Sequence, residues 1–209
     1  MEPTFKSEEL QASPLPEPPY LYKAGTSQEK IDSEIWKLFK KGDRKALDYV
    51  FEKYVRLLYA YGSKITKNTS LVEDSIQDLF VELWHRRASI SDVTSVKFYL
   101  LKSLRQKVIR NLARINEVVV DENTLHTYEV EVEFSEEFKI IQDQVSVEQR
   151  DRLIRALSQL TKRQREAVYL KFYEKVSYQE IAEIMNIGIK SAYNLVGKAI
   201  DILRNHISV

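Results

Sequence analysis

Cysteine is absent from this 209-residue chain. That excludes disulfides, thiolate nucleophiles and zinc sites built on thiolates. Proline is confined to Pro3, Pro14, Pro16, Pro18 and Pro19. From Tyr20 onward, no residue lacks a backbone donor or breaks a helix interior. Glycine is scarce too, with Gly25, Gly42, Gly62, Gly188 and Gly197 the only five. No apolar run is long enough to cross a bilayer. Residues 1–10 carry Glu2, Lys6, Glu8 and Glu9 where a signal peptide would have an apolar stretch. The expectation is a cytoplasmic protein without membrane insertion. His85, His126 and His206 are scattered, so no metal site is expected. A Gly-rich phosphate loop, a nucleophile elbow and a paired-carboxylate motif are all missing. Accordingly no catalytic residue, cofactor or small-molecule substrate is expected.

What is present is a globular composition, 44% hydrophobic and 30% charged, with an uneven charge distribution behind a net charge of +1. Residues 44–114 hold 14 basic and 7 acidic side chains, and residues 149–209 hold 11 and 6. Between them, residues 115–148 hold 1 basic and 10 acidic side chains, and residues 1–43 hold 6 and 8. Two basic blocks flanking an acidic one point to a polyanionic partner for the blocks and repulsion of that partner by the middle.

The apolar periodicity is helical. Ile31, Ile35, Leu38 and Phe39 form one stripe; Leu47, Val50, Phe51, Tyr54, Leu58 and Tyr61 form a second. Val72, Ile76, Leu79, Phe80 and Leu83 form a third, and Val96, Leu100, Leu104, Val108 and Leu112 a fourth. Residues 27–115 therefore read as a bundle of about four helices. The alternation Glu129-Val130-Glu131-Val132-Glu133-Phe134 has period two, but a lone strand would have no pairing partner. Residues 116–148 thus read as an extended acidic linker, and residues 1–26 as a flexible Pro-rich tail. Helical patterning returns over 149–209. The fold class is all-α: two small helical domains joined by an acidic linker.

Thr161-Lys162-Arg163-Gln164 and Ser177-Tyr178-Gln179-Glu180 both have the capping-box pattern that starts a helix. The second is followed by Ile181, Ala182, Ile184 and Met185, a turn at Asn186-Ile187-Gly188, and a helix bearing Ala192, Leu195, Val196, Ala199 and Leu203. Short capped helix, tight turn and longer basic helix make a helix-turn-helix. Lys190, Asn194 and Lys198 share the face opposite the apolar residues. With Ser191 and Tyr193, they are the candidates to contact bases and phosphates. An ordinary helical hairpin with a solvated face would produce the same local pattern.

These residues, with Leu157-Ser158-Gln159-Leu160 before them and 199–204 after, resemble region 4 of bacterial sigma factors of the extracytoplasmic-function group. Val72-Glu73-Asp74-Ser75-Ile76-Gln77-Asp78-Leu79-Phe80-Val81-Glu82-Leu83-Trp84 resembles the region 2 signature of the same family, and Phe98-Tyr99-Leu100-Leu101 with the basic run to Arg114 resembles its next helix. The resemblance implies an RNA polymerase sigma factor that directs core polymerase to promoters. Residues 27–115 would contact the −10 element and 149–209 the −35 element. It implies core RNA polymerase, promoter DNA and an anti-sigma factor as partners.

By the same resemblance, the acidic-amide face of Asp74, Gln77 and Asp78 would hold polymerase. Taken alone, those residues would read as a solvated face near a helix N-terminus. Lys102, Arg105, Gln106, Arg110 and Tyr99 would engage and melt the −10 element, with residues 87–93 as pocket wall. Gln106 stands where the family often has asparagine, a departure that keeps the amide chemistry but changes its reach. Trp84 and Phe98 read as core. The alternative is a stand-alone helix-turn-helix regulator that binds duplex DNA without polymerase; a helical adaptor for acidic proteins is a further rival.

Overall fold

The computed structural model describes residues 28–115 and 147–207. The Pro-rich tail, almost all of the acidic linker and the period-two segment at 129–134 lie outside the described residues. Within them, the proline-free sequence folds into helices. The first unit consists of α1 (Gln28–Lys40), α2 (Arg44–Ile65), α3 (Thr69–Arg86) and α4 (Val96–Ile115). The second consists of α5 (Val147–Ser158), α6 (Lys162–Val168), α7 (Tyr178–Ile184) and α8 (Ile189–Ile207), with one wide π turn, Tyr169–Tyr173, continuing α6.

Local chemistry sets the helix ends. After α1, Gly42 takes φ +92°. The Asp43 amide then reaches back to the Leu38 carbonyl at 3.1 Å, and the Gly42 amide to Phe39 at 2.9 Å. This is the left-handed closure that glycine permits without a Cβ penalty. Asp43 then caps α2, its carboxylate accepting from the Lys45 and Ala46 amides. Asn68 caps α3 by accepting from the Leu71 amide. Both capping boxes read from the sequence are formed, Thr161 with Gln164 and Ser177 with Glu180.

In the first unit, α2, α3 and α4 pack against one another, and α1 closes the bundle against α2 and α4. Its core includes the fully buried Trp36, Phe39, Leu58, Leu100 and Leu104. Asp32 of α1 accepts hydrogen bonds from Lys53 and Tyr54 of α2, which fixes the rotation of the first helix. Burial and the Asp32 carboxylate raise the Tyr54 hydroxyl above its ordinary value, so it stays protonated as a donor. In the second unit, α8 is the axis against which α5, α6 and α7 pack. Leu157, Leu160, Val168 and Ala199 form a small cluster there. The larger core is continuous between the units, because α4 packs on α7 and buried residues of both merge.

Two glycines make opposite demands. A Cβ on Gly62 of α2 would lie 2.5 Å from Cγ1 of Val72, so the α2–α3 approach requires glycine. A Cβ on Gly197 of α8 would meet nothing within 4 Å. We expect Gly62→Ala to lower the unfolding free energy by about 1–3 kcal/mol through overpacking. Gly197→Ala should raise it by about 0.5–1 kcal/mol through helix propensity. Urea titrations of the two variants check this, and equal shifts would refute the packing argument.

Candidate nucleic-acid interface

The helix-turn-helix is built by two successive end rules. α7 stops where Asn186 takes φ +50°, and the Ile187 amide bonds the Ala182 carbonyl at 2.8 Å. The left-handed position of the turn is therefore Asn186, one of the few side chains that tolerates it, while Gly188 opens α8 by accepting from the Ser191 and Ala192 amides. Along α8, Ala192, Val196 and Ala199 are buried against α6 and α7. Lys190, Ser191, Tyr193, Asn194 and Lys198 are all exposed. All five residues expected at the recognition face thus share the solvent side of one rigid helix. The Tyr193 ring stacks on Tyr178 of α7 with centroids 3.9 Å apart. Lys171 lies over the other ring of that pair, 4.6 Å from the Tyr178 centroid. A basic and aromatic surface results.

On α3, Asp74 and Asp78 are exposed and Gln77 is half-buried. Ser75, on the inner side, is buried and accepts from Asn111 of α4 at 3.0 Å. Trp84 and Phe98 pack half-buried against the core, as the sequence suggested. Trp84 is flanked by Arg87, 4.3 Å from its ring centroid, and by Arg44 at 5.7 Å.

The residues expected to engage the −10 element do not share one environment. Tyr99 packs edge-on against Trp36, with centroids 5.3 Å apart. Gln106 is half-buried and Arg110 is exposed. Lys102 pairs with Glu183 of α7 at 3.2 Å. Arg105 is 3% exposed and bonds Glu166 of α6, which is fully buried, through Nε at 2.7 Å and Nη2 at 3.2 Å. Tyr61 of α2 donates to the same carboxylate at 2.9 Å and stacks on Tyr169 with an interplanar angle of 8°. Tyr169 donates to Glu174, whose other oxygen pairs with Lys97 of α4 at 2.6 Å. Burial alone would lower the Arg105 guanidinium; the Glu166 charge and hydrogen bonds outweigh it, so Arg105 stays fully protonated. Burial, then the Glu166 charge, holds the Tyr61 hydroxyl well above its ordinary value, so it remains a donor. Among the described residues, no group of His, Cys, Asp and Glu is placed to hold a metal ion.

The family description "Sigma-70 region 2" matches residues 50–117, and "Sigma-70, region 4" matches residues 150–201. Together the two matches cover more than half of the chain. The chain belongs to the sigma-70 family. The regions matched are the two that the extracytoplasmic-function resemblance implied, in the same order. Sigma factors are initiation factors of RNA polymerase, and this chain is one. No curated protein matches it in sequence. In fold it is similar to CnrH, solved in complex with the cytosolic domain of CnrY, at 19% identity and a TM-score of 0.54 over 85% of this chain and 97% of that one. The sigma factor RpoE, solved with the anti-sigma factor NepR from Bartonella quintana, aligns at 20% identity and a TM-score of 0.48 over 76% of this chain and 94% of that one. No described helix is long and apolar enough to cross a membrane.

Sequence reasoning did not anticipate that Glu166, Glu174, Tyr61, Tyr169 and Lys97 tie region 4 to region 2. One signal was available. Arg105 sits at the fourth position between Leu101 and Ile109, both fully buried, so a charge occupies a stripe that is otherwise apolar. A charge so placed demands a buried counter-charge.

Glu82 links α3 to α4 by accepting from Lys107 at 3.0 Å, and it also accepts from Arg86 at 3.0 Å. Those bonds, Lys107 first, hold its carboxyl below the ordinary value. The associated stability is present above the ordinary carboxylate range and is lost as pH falls through the lowered value. Glu82→Gln should therefore flatten part of the acid-side loss of stability. Urea midpoints across an acid pH series test this, and an unaltered profile would count against the linkage.

Proposed function

We propose that residues 27–115 act as the region 2 domain, holding core polymerase and engaging the −10 element, and that residues 149–209 act as the region 4 domain on the −35 element. The observation that carries this reading is the exposed row of Lys190, Asn194 and Lys198 opposite the buried row of Ala192, Val196 and Ala199. A helix anchored on one side and cationic on the other enters a major groove, with lysines on phosphates and the asparagine amide on a base edge. Ser191 and Tyr193 border that row. Asp74, Gln77 and Asp78 form an acidic-amide face inside a basic region, suited to basic side chains of polymerase rather than to DNA. Lys102, Arg105, Gln106, Arg110 and Tyr99 are the region 2 residues assigned to the −10 element. The relative CnrH was solved with a protein partner, CnrY. By that likeness we assign a protein partner here, which the family resemblance makes an anti-sigma factor. Nucleotide transfer belongs to polymerase, the chain itself contributing no catalytic group, and the protein acts in the cytoplasm where polymerase works.

Run-off transcription with purified core polymerase tests the reading: promoter-specific transcripts are expected, and duplex binding without them would mark a stand-alone regulator instead. Lys190→Ala with Lys198→Ala should weaken promoter binding and reduce its log–log salt slope by about 1 per lost phosphate contact. An unchanged slope in anisotropy titrations would remove this face from the interface. Asp74→Arg with Gln77→Ala should abolish co-purification with core polymerase while circular dichroism stays unchanged; normal co-purification would refute the assignment.

A further inference from the structure

Among the exposed large apolar side chains of the described residues, Ile189 and Tyr193 lie four apart at the start of α8, 50% and 53% exposed. Lone surface hydrophobics are ordinary. This pair, however, takes the first and fifth positions of the helix that carries the cationic row, where a recognition helix meets base edges. Helical spacing sets Ile189 and Tyr193 in one row, beside the row of Lys190 and Asn194. Packing holds the aromatic member still. The Tyr193 ring lies on Tyr178 of α7, with centroids 3.9 Å apart and an interplanar angle of 23°. Lys171 sits 4.6 Å from the Tyr178 centroid and donates to the Val176 carbonyl at 3.3 Å. Tyr193 is thus fixed before any ligand arrives, which removes its ordering from the cost of binding.

Lysine and asparagine side chains satisfy phosphates and the hydrogen-bonding edges of bases. An aliphatic branch and a ring face suit a different feature. In the major groove the apolar feature is the C5 methyl group of thymine. Asn194 points to the same kind of base pair, because an asparagine amide matches adenine, the partner of thymine. We propose that Ile189 and Tyr193 read thymine methyl groups in the −35 element, with Tyr178 as the positioning residue behind Tyr193. This inference rests on the assignment of α8 to that element above. Four residues along a helix advance about 6 Å, close to two base steps of about 3.4 Å each. The two methyl groups therefore belong to thymines about two base pairs apart.

Holoenzyme assembled from the full chain and core polymerase first selects sites from a random-sequence duplex library. The selected duplex is then resynthesised with uracil replacing each thymine of the −35 element in turn. Uracil keeps every hydrogen-bonding group and lacks only the methyl. Two positions should each lose about fourfold in affinity, the worth of one buried methyl group. Ile189→Ala should erase the thymine–uracil difference at one of them and Tyr193→Ala at the other. Tyr178→Ala should reduce it at the Tyr193 position alone, and Tyr178→Phe, which keeps the stacking ring, should retain it. A merely structural role would weaken binding to both duplexes equally and leave their ratio unmoved. Equal affinity for thymine and uracil duplexes overturns the proposal, as does a difference that survives both alanine variants. A selected element without thymines at two such positions overturns it too. Lys190→Ala with Lys198→Ala then separates the causes. If that variant weakens binding, α8 engages DNA and only the methyl readout is wrong. If it changes nothing, the assignment of α8 to the −35 element is what fails.

Discussion

A guanidinium cannot be taken out of water without a counter-charge, and Arg105 is almost wholly out of water. Much of the contact between the units follows from that requirement. Glu166 must approach α4 closely enough for a forked contact, which brings α6 against the end of α2. The remaining capacity of the carboxylate is filled by the Tyr61 hydroxyl, and the Tyr61 ring then lies flat on Tyr169. Tyr169 in turn orients Glu174 toward Lys97. Two ion pairs and a tyrosine stack thus form one connected polar network inside a continuous apolar core. Networks of this kind are decisive in either direction, since each member is costly once its partner leaves.

The rest of the molecule divides its labour by helix face. α8 is buried on Ala192, Val196 and Ala199, which leaves its cationic side free and its orientation rigid. α3 buries Val72, Ile76, Leu79 and Leu83 and turns Asp74 and Asp78 outward. α4 has claims on more than one side: core packing through Leu100, Leu104 and Val108, and region 4 through Lys97, Lys102 and Arg105.

Much of this was legible in the chain. Stripes such as Val72, Ile76 and Leu79 mark buried faces because side chains three and four apart lie on one side of a helix. Thr161 with Gln164, and Ser177 with Glu180, announce helix starts because an orphan amide is satisfied within four residues. That Lys190, Asn194 and Lys198 share an exposed face was legible for the same reason. The turn was legible only in part: the sequence draws attention to Gly188, while the left-handed backbone falls at Asn186. Both residue types tolerate that conformation, and the register of the Ile187–Ala182 bond decides between them.

Short-range rules therefore determined, from the sequence by itself, the helices of the described residues, the capped starts, the helix-turn-helix and the opposed charge of α3 and α8. Each depends on residues within about one or two helical turns. Tertiary structure alone decided that Arg105 is sheltered while Arg110 is exposed, and that Glu166 lies at the heart of the molecule rather than on a solvated helix surface. Arg105 and Glu166 are separated by 61 positions. No periodicity relates residues that far apart; only the packing of one unit on the other brings the charges together and excludes the water between them.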